Sequence, residues 1–282
     1  MISGATTRAS PLGLALVAPA LALVVALFVY PFALSVASAF TTAEGIGLGN
    51  FAKAYELYSG DFVYTLFVVV VATALTGVIA IAIAGTLALG ETPWLVTALA
   101  WLYRWPLFIP FIVAAQCMRT FLAQNGLMNN SFMALGLIAP ESATSLLDWR
   151  GVIITFVWKQ VPFVTLLLAG AMASLDRSMI EAGRNLGAAR LRVLIEIVLP
   201  QVAPTLMVGL ILSFVTMLGV LSVPMMVASS QPTMLTVDMA FRINAYGDYP
   251  VANALGVVSY LMTAAAAVLY LRYQLRHSGA AR

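Results

Sequence analysis

Residues 62–90 read FVYTLFVVVVATALTGVIAIAIAGTLALG and contain no charged side chain. A helix needs about 20 consecutive apolar residues to cross the hydrocarbon core of a bilayer, so this run is long enough to span it. Similar runs recur along all 282 residues, of which 62% are hydrophobic and 9% charged, against roughly 25% charged in a soluble domain. The sequence therefore predicts an all-α membrane protein. We expect about six transmembrane helices, at 12–40, 62–90, 105–124, 150–174, 201–228 and 251–273.

The charges of the connections predict how the chain crosses the membrane. One set of connections is mostly acidic and includes Glu44, Glu56, Asp148 and Asp238. The other set carries most of the arginines, which are Arg8, Arg104, Arg177, Arg184, Arg190, Arg192, Arg272, Arg276 and Arg282. Because Lys and Arg concentrate in cytoplasmic connections, we expect both termini and the connection around 177–196 to lie in the cytoplasm.

The spans also predict how the chain is organised. Residues 1–61 are expected to form an N-terminal transmembrane helix and an extracytoplasmic loop, residues 62–274 the core, and residues 275–282 a cytoplasmic tail. The first apolar run is about twice as long as the apolar region of a secretory signal, which spans roughly 7 to 15 residues. We therefore interpret it as a retained transmembrane helix.

The connection between the fourth and fifth predicted spans reads, from Asp176 to Pro200, DRSMIEAGRNLGAARLRVLIEIVLP. Ser178 and Glu181 fit the capping box S-x-x-E, which begins a helix by satisfying free backbone N–H groups. Gly187 follows where such a short helix would end, and it favours a left-handed backbone. Pro200 is tolerated in the first turn of the fifth span. The pattern predicts a helix, a turn and a second helix outside the membrane.

This segment resembles the cytoplasmic signature of the permease subunits of bacterial ABC importers, which reads Glu-Ala-Ala, three residues, Gly, nine residues, Ile, one residue, Leu-Pro. The residues that match are Glu181, Ala182, Gly187, Ile197, Leu199 and Pro200. Gly183 stands where the family usually has Ala. Further similarity at 119–121, 125–129 and 158–163 extends the resemblance over about residues 60–272.

The resemblance implies the architecture of a type I importer permease, in which a short helix docks in a groove of an ATPase subunit. Here that coupling segment would be 178–199. The coupling residues that it implies are Ser178, Glu181, Ala182, Gly183, Gly187, Arg190, Leu199 and Pro200. It also implies two cytoplasmic ATPase subunits that bind ATP and Mg, a second permease that is identical or homologous, an extracytoplasmic solute-binding protein, and a place in the bacterial cytoplasmic membrane.

The sequence offers no chemistry of its own. Its only lysines, Lys53 and Lys159, are not part of the G-x-x-x-x-G-K-[ST] motif that cradles phosphates. The single Cys117 and His277, and the absence of a carboxylate pair within a predicted span, leave no catalytic or metal site. A net charge of +3 with dispersed basic residues does not fit nucleic-acid binding. We expect a protein that is not an enzyme, holds no cofactor and depends on ATP hydrolysis by its partners.

Polar side chains within the predicted spans are candidates for the solute path, because such groups are costly in a bilayer and usually functional. They are Gln116, Arg119 and Thr120 on the third helix, Lys159 and Gln160 on the fourth, and Ser213 and Thr216 on the fifth. Two alternatives stay open. The Arg119 side chain can also extend to the lipid headgroups, and Lys159 belongs to a pattern that is common to family members with different substrates.

Alternatives also remain for the solute and the driving force. Residues 185–188 are similar to the polyamine, iron and thiamine branch, whereas 233–261 are compatible with the sugar and glycerol-phosphate branch. Residues 218–220 lack the acid that is frequent in polyamine permeases, and positive groups in the spans favour a neutral or anionic solute. The alternative class is a secondary transporter or channel driven by an ion gradient. It would need acids within the spans or inverted repeats, and the sequence shows neither.

Overall fold

The computed structural model describes residues 11–228 and 231–278, and almost all of the regular structure in these ranges is helical. The helices are α1 (Pro11–Val24), α2 (Tyr30–Phe40), α3 (Gly49–Leu89), α4 (Pro93–Leu102), α5 (Phe111–Leu122), α6 (Leu127–Ala134), α7 (Trp149–Ala173), α8 (Arg177–Asn185), α9 (Arg190–Val193), α10 (Leu199–Gly219), α11 (Ser222–Val227), α12 (Leu235–Tyr246) and α13 (Tyr249–Ser278). Short 3-10 turns lie at Trp105–Phe108 and Pro140–Ser142. An antiparallel pair of two-residue strands, β1 (Thr41–Thr42) and β2 (Gly45–Ile46), links α2 to α3.

Within the described ranges, five helices are long and apolar enough to cross a membrane, and a bent pair of helices raises the number to six. This confirms the predicted all-helical fold with about six spans. The fourth predicted span corresponds to α7 and the sixth to α13. The first corresponds to α1 and α2, which a π-helical turn at Val25–Val29 joins into one rod. The other three predicted spans differ from the structure in their bounds or shape.

The second span is longer than predicted, because α3 extends over 41 residues and begins at Gly49. Lys53, Glu56 and Asp61, which we expected in an extracytoplasmic loop, therefore lie on this helix. The backbone leaves helical geometry only at Tyr58, with φ −128° and ψ 15°. Lys53 and Glu56 are exposed, whereas Asp61 is buried. A helix can continue beyond the bilayer without losing its backbone hydrogen bonds, so these charges do not mark where the helix begins.

The third span is not a single straight helix. The segments Pro93–Phe108 and Phe111–Ala134 meet at an angle of 109°. Proline is the physical cause, since Pro110 has no N–H to donate to the carbonyl of Pro106, four residues earlier. The chain bends sharply here, so a broken span takes the place of the predicted straight helix 105–124.

The fifth span ends earlier than predicted, at Gly219, and α11 is a separate short helix. Pro224 cannot donate to the carbonyl of Val220, and that carbonyl instead accepts a hydrogen bond from the hydroxyl of Thr236 at 3.3 Å. On its other side, α10 is continuous with α9 through a π-helical turn at Leu194–Val198.

Helices α3, α7 and α10 form the middle of the bundle and pack closely through small residues. A Cβ added at Gly77 would lie 3.3 Å from Leu210, and one added at Gly209 would lie 3.4 Å from Leu167. Phe156 is fully buried between these helices. Because lipid is as apolar as these side chains, close packing rather than removal from water holds such helices together.

The two ends of the bundle are distinct. We call the end at which α3 and α7 finish, beside α8, the α8 end, and the end at which they begin the opposite end. The α8 end is the one that the arginine distribution predicts to be cytoplasmic. At the opposite end α2 packs on α13, where the hydroxyl of Ser35 donates to the side-chain oxygen of Asn253 at 2.8 Å.

Candidate coupling and translocation sites

Helix α8 begins differently from the sequence prediction. Its N-cap is Asp176, whose carboxylate accepts the backbone N–H of Ser178 at 2.9 Å. Hydrogen bonding from Ser178 lowers the pKa of Asp176. The predicted capping box of Ser178 and Glu181 is therefore wrong, because the helix starts at Arg177 and Ser178 already lies inside its first turn. Both Ser178 and Glu181 are exposed on α8.

The predicted turn at Gly187 is confirmed. Gly187 has φ +83°, in the left-handed region that glycine adopts readily. Its N–H donates to the carbonyl of Arg184 at 2.8 Å, and the N–H of Ala188 donates to the carbonyl of Gly183 at 3.1 Å. These two bonds form a Schellman motif, which satisfies the last carbonyls of a helix and fixes the direction of the chain that leaves it.

The inner face of α8 explains why this chain has glycine at position 183. A Cβ there would lie 2.6 Å from Cδ1 of Ile197 and 3.6 Å from Val193. Glycine thus allows α8 to lie directly on the helix that follows the turn. Val193 and Val198 are buried in this contact, together with Met172 at the end of α7. The departure from the family pattern is a packing adaptation.

The outer face of α8 has no partner among the residues that the structure describes. Met179, Ala182 and Leu186 lie within about 60° of one another on the helix, and all three are exposed. Leu186 is 89% exposed. Beside it, a cavity of about 350 Å³ opens between α3, α7 and α8, and Glu181 contributes to its lining. A short helix in water with apolar side chains turned outward has the form of a docking element.

Helix α8 is also tied to the connection between α3 and α4, a contact that the sequence reasoning missed. The carboxylate of Glu91 lies 3.6 Å from Arg184 and is hydrogen-bonded by Arg190. Arg184 also donates to the carbonyl of Leu89 at 3.1 Å. Nothing in the sequence pairs Glu91 with Arg184 or Arg190.

The remaining predicted coupling residues lie where the connection enters the membrane. Leu199 is the first residue of α10, and Pro200 lies in the first turn of that helix. Pro200 has no N–H for the carbonyl of Glu196, and the π-helical turn that precedes it shifts the bonding so that the N–H of Leu199 reaches the carbonyl of Leu194. The fifth span is therefore an uninterrupted continuation of the connection.

Lys159 lies at the break of the third span. It is buried on α7, and its ammonium donates to the carbonyls of Pro106 and Ile109 at 2.5 Å each. The ring of Phe111 lies 5.0 Å away. The carbonyl of Pro106 also accepts the backbone N–H of Ile109 at 3.3 Å, whereas Lys159 is the partner that the structure shows for the carbonyl of Ile109. Lys159 therefore supports the backbone at the break. In this conformation its charge is directed at the protein rather than at open space.

The other predicted path residues fall into two groups. Gln116 and Thr120 on α5 are exposed and line one groove of about 520 Å³ with Trp158. Arg119 is exposed nearby on α5 and forms no ion pair with any residue in the described ranges.

The second group lies on α7 and α10. Gln160 and Ser213 are buried, and the amide nitrogen of Gln160 and the hydroxyl of Ser213 have no hydrogen-bond partner in the described ranges. Thr216 is exposed, with its hydroxyl bonded to the carbonyl of Leu212 at 2.7 Å. Solute contact stays a prediction for both groups.

A buried acidic cluster lies at the opposite end. Asp61 on α3 accepts the N–H of Thr233 at 2.9 Å, and the Thr233 hydroxyl donates to Asp238 on α12 at 2.8 Å. The second carboxylate oxygen of Asp238 has no partner among the described residues. Burial raises the pKa of Asp238 to about 6, the nearby Asp61 adds to this, and Thr233 and Arg242 oppose it.

Comparison with known proteins identifies the chain. Residues 61–276 match the model of the family described as "Binding-protein-dependent transport system inner membrane component". The chain belongs to this family. It is therefore a non-catalytic permease component of an importer in the inner membrane, as the resemblance implied. Family membership also implies ATPase and solute-binding partners.

Two curated relatives show the range of this family. The sulfoquinovosyl glycerol transport system permease protein SmoG of Agrobacterium fabrum is 26% identical over 93% of this chain and 89% of its own length. The trehalose/maltose transport system permease protein MalF of Thermococcus litoralis is 27% identical over 59% of this chain and 58% of its own.

Solved structures show the same fold. A bacterial ABC transporter that imports the acidic polysaccharide alginate aligns with a TM-score of 0.76 at 20% identity, over 92% of this chain and 94% of that one. The methionine ABC transporter MetNI in an inward-facing conformation aligns with a TM-score of 0.60 at 17% identity, over 77% and 94%. The predicted architecture of a type I importer permease is thereby confirmed.

Proposed function

We propose that this permease is driven by two cytoplasmic ATPase subunits that dock on α8, pairs with a second permease, and receives its solute from an extracytoplasmic binding protein. ATP and Mg bind to the ATPase subunits. The observation that carries the proposal is α8 itself. It is capped at both ends, packs on the start of the fifth span through Gly183, and presents Met179 and Leu186 to the cytoplasm.

The mechanism follows from how α8 is held. Its Schellman turn and its contact with Ile197 join it to the segment that continues as α10, so a displacement of α8 is passed to a helix in the middle of the bundle. Closure of the ATPase subunits on ATP moves α8 and opens the path outward, and hydrolysis resets it. Each state is stabilised only by the difference in its contacts with the partner.

For the solute, we propose a sugar or sugar-derived compound that is neutral or anionic. Arg119 is an exposed cation on α5 without an ion-pair partner in the described ranges, beside the groove that Gln116 and Thr120 line. The relative that aligns over most of both chains transports sulfoquinovosyl glycerol. The relatives also include sulfate and spermidine/putrescine permeases, and a polycation would meet the unpaired charge of Arg119 unfavourably.

Copurification tests the coupling. The tagged chain, extracted from its native membrane, should carry an ATPase subunit with it. Leu186→Asp should abolish this association, because a charge would be buried in the docking contact. Leu48→Asp is the matched control, since Leu48 is 66% exposed at the opposite end. Isolation of the chain alone, with uptake driven by an ion gradient, would overturn the proposal and favour a secondary transporter.

A further inference from the structure

The contact between α8 and the α3–α4 connection is short and specific. Helix α3 ends at Leu89 and α4 begins at Pro93, so only three residues join them. Gly90 within this connection has its backbone against that of Thr86, and a Cβ there would lie 2.3 Å from the Thr86 carbonyl. The connection is therefore tightly folded, and a force on Glu91 acts on both helices.

Glu91 is held from both arms of the helix–turn–helix. Arg184 lies in the last turn of α8, before the Gly187 turn, and Arg190 is the first residue of α9, after it. One carboxylate thus binds two cations whose separation is set by the angle of that turn. Arg184 also reaches the carbonyl of Leu89, at the helix end where a cation is favoured by the dipole of α3.

Helix α4 continues this connection toward the candidate solute path. It leads through the 3-10 turn Trp105–Phe108 into the break that Lys159 holds. Beyond the break lies α5 with Gln116 and Arg119. The segment from Glu91 to α5 is thus fixed to the bundle at two points, one on α8 and one on α7.

We propose that Glu91 is the positioning residue through which movement of α8 reaches α4 and α5. Docking of the ATPase would then move the candidate solute path on α5 in addition to α10. This inference rests on the proposed function. The side chain of Glu91 is 57% exposed. An ion pair so accessible to solvent adds little to the stability of the resting fold. Its role is to transmit motion, and a test must therefore measure motion.

The single cysteine of the chain supplies a reporter. Cys117 is exposed on α5, and an environment-sensitive maleimide dye can be attached to the purified chain before it is assembled with its ATPase subunits. In the assembled wild-type complex, ATP should change the fluorescence of this dye. Glu91→Gln should lose that change while the ATPase subunits still copurify. Glu91→Asp, which keeps the charge, should retain it.

The matched control is Arg150→Gln, which removes an exposed ion pair between Arg150 and Asp148 at the start of α7, outside the coupling segment and at the opposite end of the bundle. It should respond to ATP as the wild type does. An unchanged response in Glu91→Gln would overturn the inference and leave the proposed function intact, as would a loss in Glu91→Asp as complete as in Glu91→Gln. Failure of the wild-type chain to bind ATPase subunits would instead overturn the proposed function.

Discussion

Replacing Lys159 by methionine tests whether this residue supports the broken span or contacts solute. Methionine has a similar length and is apolar, so the change removes the donors and little volume. At the break, the carbonyl of Ile109 would then lose its partner, and the carbonyl of Pro106 would keep only the N–H of Ile109. The prediction is a less stable permease in which the two helices of the broken third span are held less firmly against α7.

The magnitude follows from the contacts. A buried polar group left without a partner costs about 1–3 kcal/mol, and hydrogen bonds between membrane helices fall toward the lower part of that range. One carbonyl left unpaired and a second with one bond fewer therefore give about 1–2 kcal/mol. For a chain of this size, 1 kcal/mol shifts the midpoint of thermal unfolding by about 2–4 °C. We expect Lys159→Met to lower the midpoint in detergent by roughly 2–8 °C.

The control is Thr86→Val, which removes an exposed hydroxyl that bonds to the carbonyl of Ala82 in its own helix. It should shift the midpoint by less than about 2 °C, since that carbonyl remains within a regular helix. A Lys159→Met chain as stable as this control, but without transport, would refute the supporting role and assign Lys159 to the solute path instead.

Three further outcomes are expected. Gly187→Val should uncouple ATP hydrolysis from uptake without preventing membrane insertion, because valine is strained at φ +83°. Gly187→Asn should stay coupled, because asparagine tolerates this conformation. Normal uptake by the valine variant would contradict the role of the turn in coupling. Asp176→Ala should destabilise α8 by about 1 kcal/mol through loss of its cap, seen as faster hydrogen exchange at Ser178, whereas Asp176→Asn should protect it. The folded-state pKa of Asp238 is raised to about 6, so its charge destabilises the fold above that pH, and the wild type should gain stability as pH falls from 7 to 5. Asp238→Asn should show a flatter dependence of stability on pH. Equal slopes of stability against pH in the two chains would contradict this prediction.

The number of spans and the position of the helix–turn–helix around Gly187 were predictable from local features. Bilayer thickness fixes the length of an apolar run, and the left-handed backbone at Gly187 requires a residue without Cβ. Both depend on the chain within a few residues. The start of α8 was also local, but Asp176 and Ser178 compete for the same role, and only the structure shows that the carboxylate at 176 takes the first free N–H groups.

Contacts between distant segments were not predictable. Lys159 is about 50 residues from the carbonyls that it binds, and Arg190 is 99 residues from Glu91. The break at Pro106 and Pro110 was missed because proline is tolerated within membrane helices. How sharply a proline bends a membrane helix depends on what satisfies the backbone carbonyls beside it. Here the side chain of Lys159, on another helix, contributes to this.

The continuity of α9 with α10 has a geometric consequence. The uninterrupted rod from Arg190 to Gly219 has 30 residues, which at about 1.5 Å per residue gives a length of about 45 Å. A tilt of about ten degrees around the end beside α8 would carry Gly219 sideways by about 8 Å, roughly the width of a sugar ring and its hydration. In the mechanism that we propose, a small rotation of this rod at the α8 end would therefore produce a larger displacement at the opposite end.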